Sequence, residues 1–204
     1  PTTISKSGSS ANYWPEGYQI CDLPNVHLYE KGWSAPYASD PIRSSYWTYR
    51  NVTRQFWTGF EKPGIFGEAG AEPINMYAAN IEKGSSKYVE IYHNALWSAW
   101  ASGLAATPIW WEMNDRELMT DEVFAQMKAF ARVASDIDYA DLNLISSNAS
   151  ADTADVFMMT ADSLGFGWFR SYNNNVISGR FTRISGLKTG TYQAIWYDTW
   201  TCLL

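Results

Sequence analysis

Cysteine and histidine are scarce in this chain of 204 residues, which contains two of each. Cys21 and Cys202 lie near opposite ends and form no CxxC motif, so the sequence predicts neither a disulfide framework nor a thiolate metal site. His27 and His93 are far apart in the chain, and zinc sites draw most of their ligands from these two residue types. We therefore expect no bound metal and no other cofactor.

The chain also lacks an excess of basic residues and long apolar runs. The chain has 15 Lys and Arg against 21 Asp and Glu, a formal net charge of −6, which leaves no basic stripe to neutralise phosphates. No apolar run approaches the roughly 18 residues that a membrane-spanning helix requires. Residues 1–8 are polar and show no signal peptide. These absences argue against nucleic-acid and membrane partners.

Aromatic residues, by contrast, are abundant, with 11 Trp and 13 Tyr. Flat rings with a polar tip suit a ligand that has both apolar faces and hydroxyl edges. Sugars are such ligands, so the composition favours a carbohydrate partner. The alternative is that many of these rings fill a large core and an interface.

Residues 1–139 alternate short apolar runs with longer helical patterns, which is typical of βα units and a parallel sheet. We predict strands at 1–5, 25–29, 64–68 and 106–111. Apolar residues at helical spacing, with capping residues before them, predict helices at 40–60, 85–103 and 120–136. The first region is therefore expected to be an α/β domain.

Residues 140–204 show a different pattern of short alternating segments. Turn clusters such as Tyr172-Asn173-Asn174-Asn175 separate the predicted strands, which are 142–145, 156–160, 167–169, 179–184 and 191–197. This arrangement predicts an antiparallel sheet that forms one layer of a β-sandwich. We place the domain boundary near residue 140.

The strongest local signal for chemistry is a carboxylate flanked by glycines, Gly67-Glu68-Ala69-Gly70, at the end of a predicted strand. Parallel sheets place active sites at the carboxyl ends of their strands, and glycine lets a ligand approach the backbone closely. Alternatively, Glu68 caps a helix or forms a structural salt bridge. The neighbouring strands decide between these interpretations.

The preceding predicted strand ends in His27-Leu28-Tyr29, and the following one ends in Trp110-Trp111-Glu112. Parallel strands bring these ends to one rim, so we expect His27, Tyr29 and at least one of the two tryptophans to share a pocket with Glu68. Trp110 and Trp111 alternate on their strand, so one should face the mouth of the site and the other the helices. The sequence does not show which does so.

Two of these residues also have structural alternatives. His27 considered alone is more typical of a hydrogen-bonded core histidine than of a site residue. Glu112 binds a sugar hydroxyl in one interpretation and pairs with Arg116, four residues later, in the other.

Taken together, the order His-x-Tyr at 27–29, Gly-Glu at 67–68 and a Trp-rich strand end at 110–111 resembles strands six, seven and eight of clan A glycoside hydrolases. Those enzymes are (β/α)8 barrels. The stretches 92–103, 107–111 and 190–199 are similar to a sub-group in which a small β-sandwich follows the barrel. The resemblance implies a half TIM-type barrel over residues 1–139 and a β-sandwich-like domain over 140–204.

The resemblance also implies a retaining double-displacement mechanism in which Glu68 is the nucleophile, kept ionised by hydrogen bonds from groups such as Tyr29 or His27. A tryptophan of the last strand, Trp110 or Trp111, would stack on the sugar. The family's acid/base glutamate follows an asparagine on strand four, and this chain has no counterpart to that strand. Glu112 is a poor candidate for the role, because it follows strand eight.

From the resemblance we expect the substrate to be a poly- or oligosaccharide and the protein to be secreted or periplasmic. Two rival functions remain open: a non-catalytic carbohydrate-binding protein, and an interaction module whose tryptophan-rich surfaces mediate assembly. Half of a barrel has open strand edges, so we expect a homodimer in which two copies complete each other. The alternative is that the first half of the barrel belongs to a longer polypeptide.

Overall fold

The computed structural model describes residues 1–5, 14–30, 40–71, 82, 84–111, 119–172, 175–201 and 203. These residues form a mixed α/β structure with one parallel and two antiparallel sheets. Its elements are, in chain order, β1 (Thr3–Ser5), α1 (Pro15–Ile20), β2 (Leu23–Glu30), α2 (Pro41–Phe60), β3 (Ile65–Ala71), α3 (Ser86–Trp100), α4 (Asp121–Ala134), β4 (Ile145–Ser146), β5 (Ala149–Ala151), β6 (Ala154–Thr160), β7 (Gly165–Ser171) and β8 (Thr182–Ile184).

The predicted parallel sheet is confirmed for three strands, in the order β1-β2-β3. The fourth predicted strand, 106–111, is represented by one parallel bridge between Ala69 and Trp110. Over the residues that the structure describes, these strands do not close into a barrel. The coarser prediction of an α/β parallel sheet is therefore correct, and the half-barrel remains an interpretation.

Helices α2, α3 and α4 begin within one residue of their predicted starts, although Thr120 makes no side-chain cap hydrogen bond at the start of α4. Asp40 accepts a hydrogen bond from the backbone N–H of Arg43 at the start of α2, and Ser85 does the same for Tyr88 at the start of α3. Acidic Asp121 opens the first turn of α4, where it complements the helix dipole. Within the described residues, no helix combines the length and the hydrophobicity needed to cross a bilayer.

The C-terminal region is antiparallel, as predicted, with sheets in the order β4-β6-β7 and β5-β8. The predicted strand at 191–197 is wrong, because this segment forms no strand and instead contacts the core through single side chains. Trp196 packs against Phe169, and Tyr197 donates a hydrogen bond to Asp136. In the other region, α1 was missed: Pro15 starts it inside a stretch that reads as a loop.

One hydrophobic core spans the predicted boundary at residue 140. On the sheet side, Phe66 packs edge-on against Tyr49 of α2. The same cluster of buried residues continues to Phe157 of β6 and Trp168 of β7. An ion pair between partly buried Arg43 and buried Asp155 joins α2 to β6. The two predicted regions are therefore packed together by both apolar and charged contacts.

Candidate functional site

Glu68 lies beside the two polar side chains that the sequence predicted as its neighbours. Tyr29 donates its hydroxyl hydrogen to Glu68 Oε2 at 2.6 Å, and His27 Nδ1 lies 3.1 Å from the same oxygen. The side chains of His27 and Glu68 are 18% and 23% exposed, so the group is largely enclosed while retaining access to solvent. Both contacts are made to the same oxygen, so together they define the orientation of the Glu68 carboxyl group.

The register of the parallel sheet explains why these side chains meet. His27 on β2 is paired with Glu68 on β3, and Tyr29 is paired with Gly70. Val26 and Leu28 are buried in the core, so by alternation His27 and Tyr29 project from the opposite face of β2. We call that face, with Glu68 on it, the site face.

Glu68 reaches the site face because β3 departs from regular alternation. Phe66 and Ala69 both belong to the buried core although they are three residues apart, and strict alternation would place them on opposite faces. The pairing shifts between Val26 and His27, which leaves Gly67 as an extra residue of β3. Glu68 therefore projects with His27 rather than with Phe66. It lies in the middle of β3, whereas the sequence pattern predicted it at the end of the strand.

The structure separates the roles of the two tryptophans. Trp110 is 1% exposed, donates its indole hydrogen to Tyr88 Oη at 2.5 Å and packs edge-on against Tyr92. It is paired with the core residue Ala69, so it faces the helices and is a core residue. The predicted sugar contact through Trp110 is corrected accordingly.

Trp111 follows on the opposite face, which is the face of Glu68. Its side chain is 60% exposed, and its backbone N–H bonds Ala69 O at 2.8 Å. Trp111 is therefore the exposed member of the pair. Glu112, the remaining predicted site residue, lies outside the described residues.

His93 is a second histidine with a defined environment, and it was left out of the predicted site. Its Nδ1 lies 2.7 Å from Gln126 Oε1, its Nε2 lies 3.1 Å from Thr199 Oγ1, and its ring stacks on Trp200 with centroids 4.0 Å apart. Burial lowers the pKa of His93 to about 4. A neutral, hydrogen-bonded imidazole of this kind joins the C-terminal segment to α3 and is structural.

Two further observations concern other possible sites in the described residues. Among the described residues, no group of three His, Cys, Asp or Glu side chains is arranged to hold a metal ion. A cavity of about 340 Å³ lies in the C-terminal region, lined in part by Tyr172, Val176 and Arg180, and it includes none of the predicted site residues. The candidate site is thus the carboxylate group on the face of the parallel sheet.

Comparisons with protein-family models, with curated proteins and with solved structures gave no match to this chain. The functional interpretation consequently rests on the motifs of the sequence and on the geometry around Glu68.

Proposed function

We propose that this chain carries the nucleophile of a retaining glycoside hydrolase and that Glu68 is that nucleophile. The observation that supports this best is the pair of contacts to Glu68 Oε2, from Tyr29 at 2.6 Å and from His27 at 3.1 Å. They orient an accessible carboxylate on a parallel sheet, and α/β enzymes commonly build their sites on such sheets. The interpretation of residues 1–139 as half of a TIM-type barrel belongs to the same proposal.

In the first chemical step, Glu68 bonds to the anomeric carbon of the sugar while the glycosidic C–O bond breaks. An acid/base carboxyl donates its proton to the departing oxygen. In the second step, water gives a proton back to the acid/base group, attacks the same carbon and releases Glu68. Tyr29 and His27 maintain the position of Oε2 during both steps, and the exposed indole of Trp111 offers a flat apolar surface for the sugar ring.

The experiment uses a panel of dinitrophenyl glycosides that differ in the sugar. Dinitrophenolate departs without protonation, so these substrates report on the nucleophile rather than on the acid/base group. We expect turnover by the wild-type chain and its loss in Glu68→Gln, whose amide cannot form the glycosyl-enzyme. Glu16→Gln is the matched control, because Glu16 is an exposed residue of α1.

A second readout identifies the attacking residue. The 2-fluoro analogue of an active substrate slows release of the covalent intermediate, which then accumulates on the nucleophile. We expect mass spectrometry of a digest to find the sugar on the peptide that contains Glu68. Labelling of another carboxylate, or equal turnover by Glu68→Gln and the wild type, would reject the assignment.

A non-catalytic carbohydrate-binding protein is the second candidate function, and the exposure of Trp111 favours it. An indole that is 60% exposed can bind a sugar face without any chemistry at Glu68. Oligosaccharide binding by the wild-type chain, with no turnover of any dinitrophenyl glycoside and no covalent labelling, would favour this candidate over the enzyme.

A further inference from the structure

We propose that Asn25 is a positioning residue for Glu68, acting through the backbone of Gly67. The inference rests on the proposed role of Glu68 as nucleophile. Asn25 lies on β2 two residues before His27, and its Oδ1 accepts the backbone N–H of Gly67 at 2.9 Å. Gly67 is the residue that the register shift leaves outside the regular pairing of β2 and β3. The side chain of Asn25 thus binds the extra residue of β3 directly.

The hydrogen bond from Gly67 N to Asn25 Oδ1 replaces the backbone hydrogen bond that a bulged residue loses. A residue taken out of the ladder loses its regular backbone partner, and a partly buried N–H that is left unpaired is destabilising. Asn25, on the neighbouring strand β2, lies beside Gly67, and its Oδ1 accepts that N–H. We call this hydrogen bond, between Asn25 Oδ1 and Gly67 N, the bulge clamp.

The other side of β3 is held by backbone bonds on both sides of Gly67. Ile109 N donates to Phe66 O at 3.1 Å, and Ala69 N donates to Ile109 O at 2.7 Å. Phe66 and Ala69 are both hydrogen-bonded to Ile109, so Gly67 and Glu68 lie between two anchored residues. The backbone of these two residues can then move mainly by rotation at Gly67. The bulge clamp removes that remaining freedom, and Glu68 is the next residue in the chain.

The bulge clamp also depends on the absence of a side chain at residue 67. A Cβ added to Gly67 would lie 2.5 Å from Asn25 Oδ1 and 2.8 Å from Asn25 Nδ2, both too close for any real contact. Alanine at this position must therefore displace the Asn25 amide. Gly67→Ala and Asn25→Ala are expected to break one and the same contact from its two sides.

The bulge clamp should affect the proposed reaction through the position of the Glu68 carboxylate. Glu68 must present its carboxylate with Oε2 between Tyr29 and His27. Because a misplacement of about 1 Å can reduce a rate on the order of 100-fold, loosening the bulge should lower kcat without removing any group that contacts substrate. Asn25 would then be needed for the rate although it takes no chemical part.

The test follows the imidazole signals of the chain's two histidines by long-range 1H–15N NMR. Glu68→Ala first defines the signals of His27 once its contact with the carboxylate is gone. We expect Asn25→Ala to move the His27 signals most of the way toward those positions, while the signals of buried His93 stay unchanged. Gly67→Ala should produce the same movement, and it serves as the informative variant where Asn25→Ala folds poorly.

The double variant and a control make the comparison specific. Asn25→Ala combined with Gly67→Ala should move the His27 signals no further than either single change, since both break the bulge clamp. Asn51→Ala changes an exposed asparagine of α2 and should leave both histidines at their wild-type positions. On an active dinitrophenyl glycoside, we expect the two single variants to lower kcat on the order of 10- to 100-fold with KM within about twofold.

Two results overturn the inference. One is a His27 signal that stays at its wild-type position in both single variants. The other is a movement of His93 as large as that of His27, because it shows a general loss of structure instead of a local one. The NMR readout needs no turnover, so a wild-type chain that hydrolyses no glycoside rejects the proposed function while the bulge clamp is still judged separately.

Discussion

Tyr29 and Glu68 are 39 positions apart in the chain, and the phenolic hydroxyl of the first donates a 2.6 Å hydrogen bond to the carboxylate of the second. Neighbouring parallel strands bring them together, with His27 contributing a second contact to the same oxygen. The geometry makes Glu68 an oriented carboxylate.

Removing the hydroxyl of Tyr29 should slow the proposed reaction. Hydrogen bonds to charged groups are worth about 1.5–3 kcal/mol, so we expect Tyr29→Phe to lower kcat/KM on the order of 10- to 100-fold on an active dinitrophenyl glycoside. Tyr192→Phe is the control, because the Tyr192 hydroxyl donates to backbone carbonyl groups of the C-terminal region, Asp162 O and Lys188 O. Equal kinetics for the wild type and Tyr29→Phe would contradict the role of this hydrogen bond.

The two tryptophans should respond in opposite ways to substitution. Trp110→Ala empties a buried site and should lower the free energy of unfolding by about 3–5 kcal/mol. Trp111→Ala removes an exposed ring and should leave unfolding almost unchanged while weakening oligosaccharide binding. Urea denaturation and calorimetric titration measure the two effects, and a stability loss in Trp111→Ala as large as in Trp110→Ala would show the assignment to be wrong.

The buried His93 should make stability fall as the pH is lowered. Its pKa is about 4 in the folded chain and 6.5 for an unperturbed imidazole, so between these values the unfolded chain binds more protons. The contribution is complete above pH 6.5, declines as the pH falls and is lost near pH 4, with a total of about 3 kcal/mol.

Urea denaturation from pH 4 to pH 7 checks the His93 prediction. His93→Gln is the comparison, because glutamine does not titrate and can still hydrogen-bond Gln126. We expect a shallower slope of the unfolding free energy against pH in this variant. Parallel slopes for the two proteins would assign the acid sensitivity to other groups.

The ion pair between α2 and β6 should matter far more than an exposed pair of the same kind. Asp155 is 4% exposed and accepts two bonds from Arg43 and one from Tyr46, so Asp155→Ala leaves a partly buried guanidinium without its carboxylate. We expect a loss of about 3–5 kcal/mol in unfolding free energy. Asp162→Ala breaks an exposed pair with Lys188 and should cost less than about 1 kcal/mol, and similar losses in both variants would contradict the distinction.

The predicted homodimer concerns the sheet as a whole. β1 is a short strand at one side of the three-stranded parallel sheet, and exposed strand edges favour pairing with a second copy. We expect light scattering at micromolar concentration to give a mass twice the 23.1 kDa of the chain. A stable monomer under those conditions would remove the hypothesis that two copies complete each other's sites.

Local signals in the sequence were sufficient for most of the individual elements. Helices α2 and α3 begin directly after Asp40 and Ser85, one residue from their predicted starts, and a capping side chain acts on a backbone N–H only three residues away. The parallel strands β2 and β3 were also predicted, since their apolar runs and flanking turns are local features. Alternation alone was insufficient at 191–197, because a strand needs a partner strand as well as a pattern.

The order of strands along the chain was enough to predict His27 and Tyr29 as the neighbours of Glu68. How these side chains meet depends on contacts between strands that are distant in the chain. Alternation shows that Trp110 and Trp111 face opposite ways, but the pairing of Trp110 with Ala69 is what assigns Trp110 to the core. The face of Glu68 likewise depends on the bulge at Gly67, because strand register is a relation between two strands and no single segment encodes it.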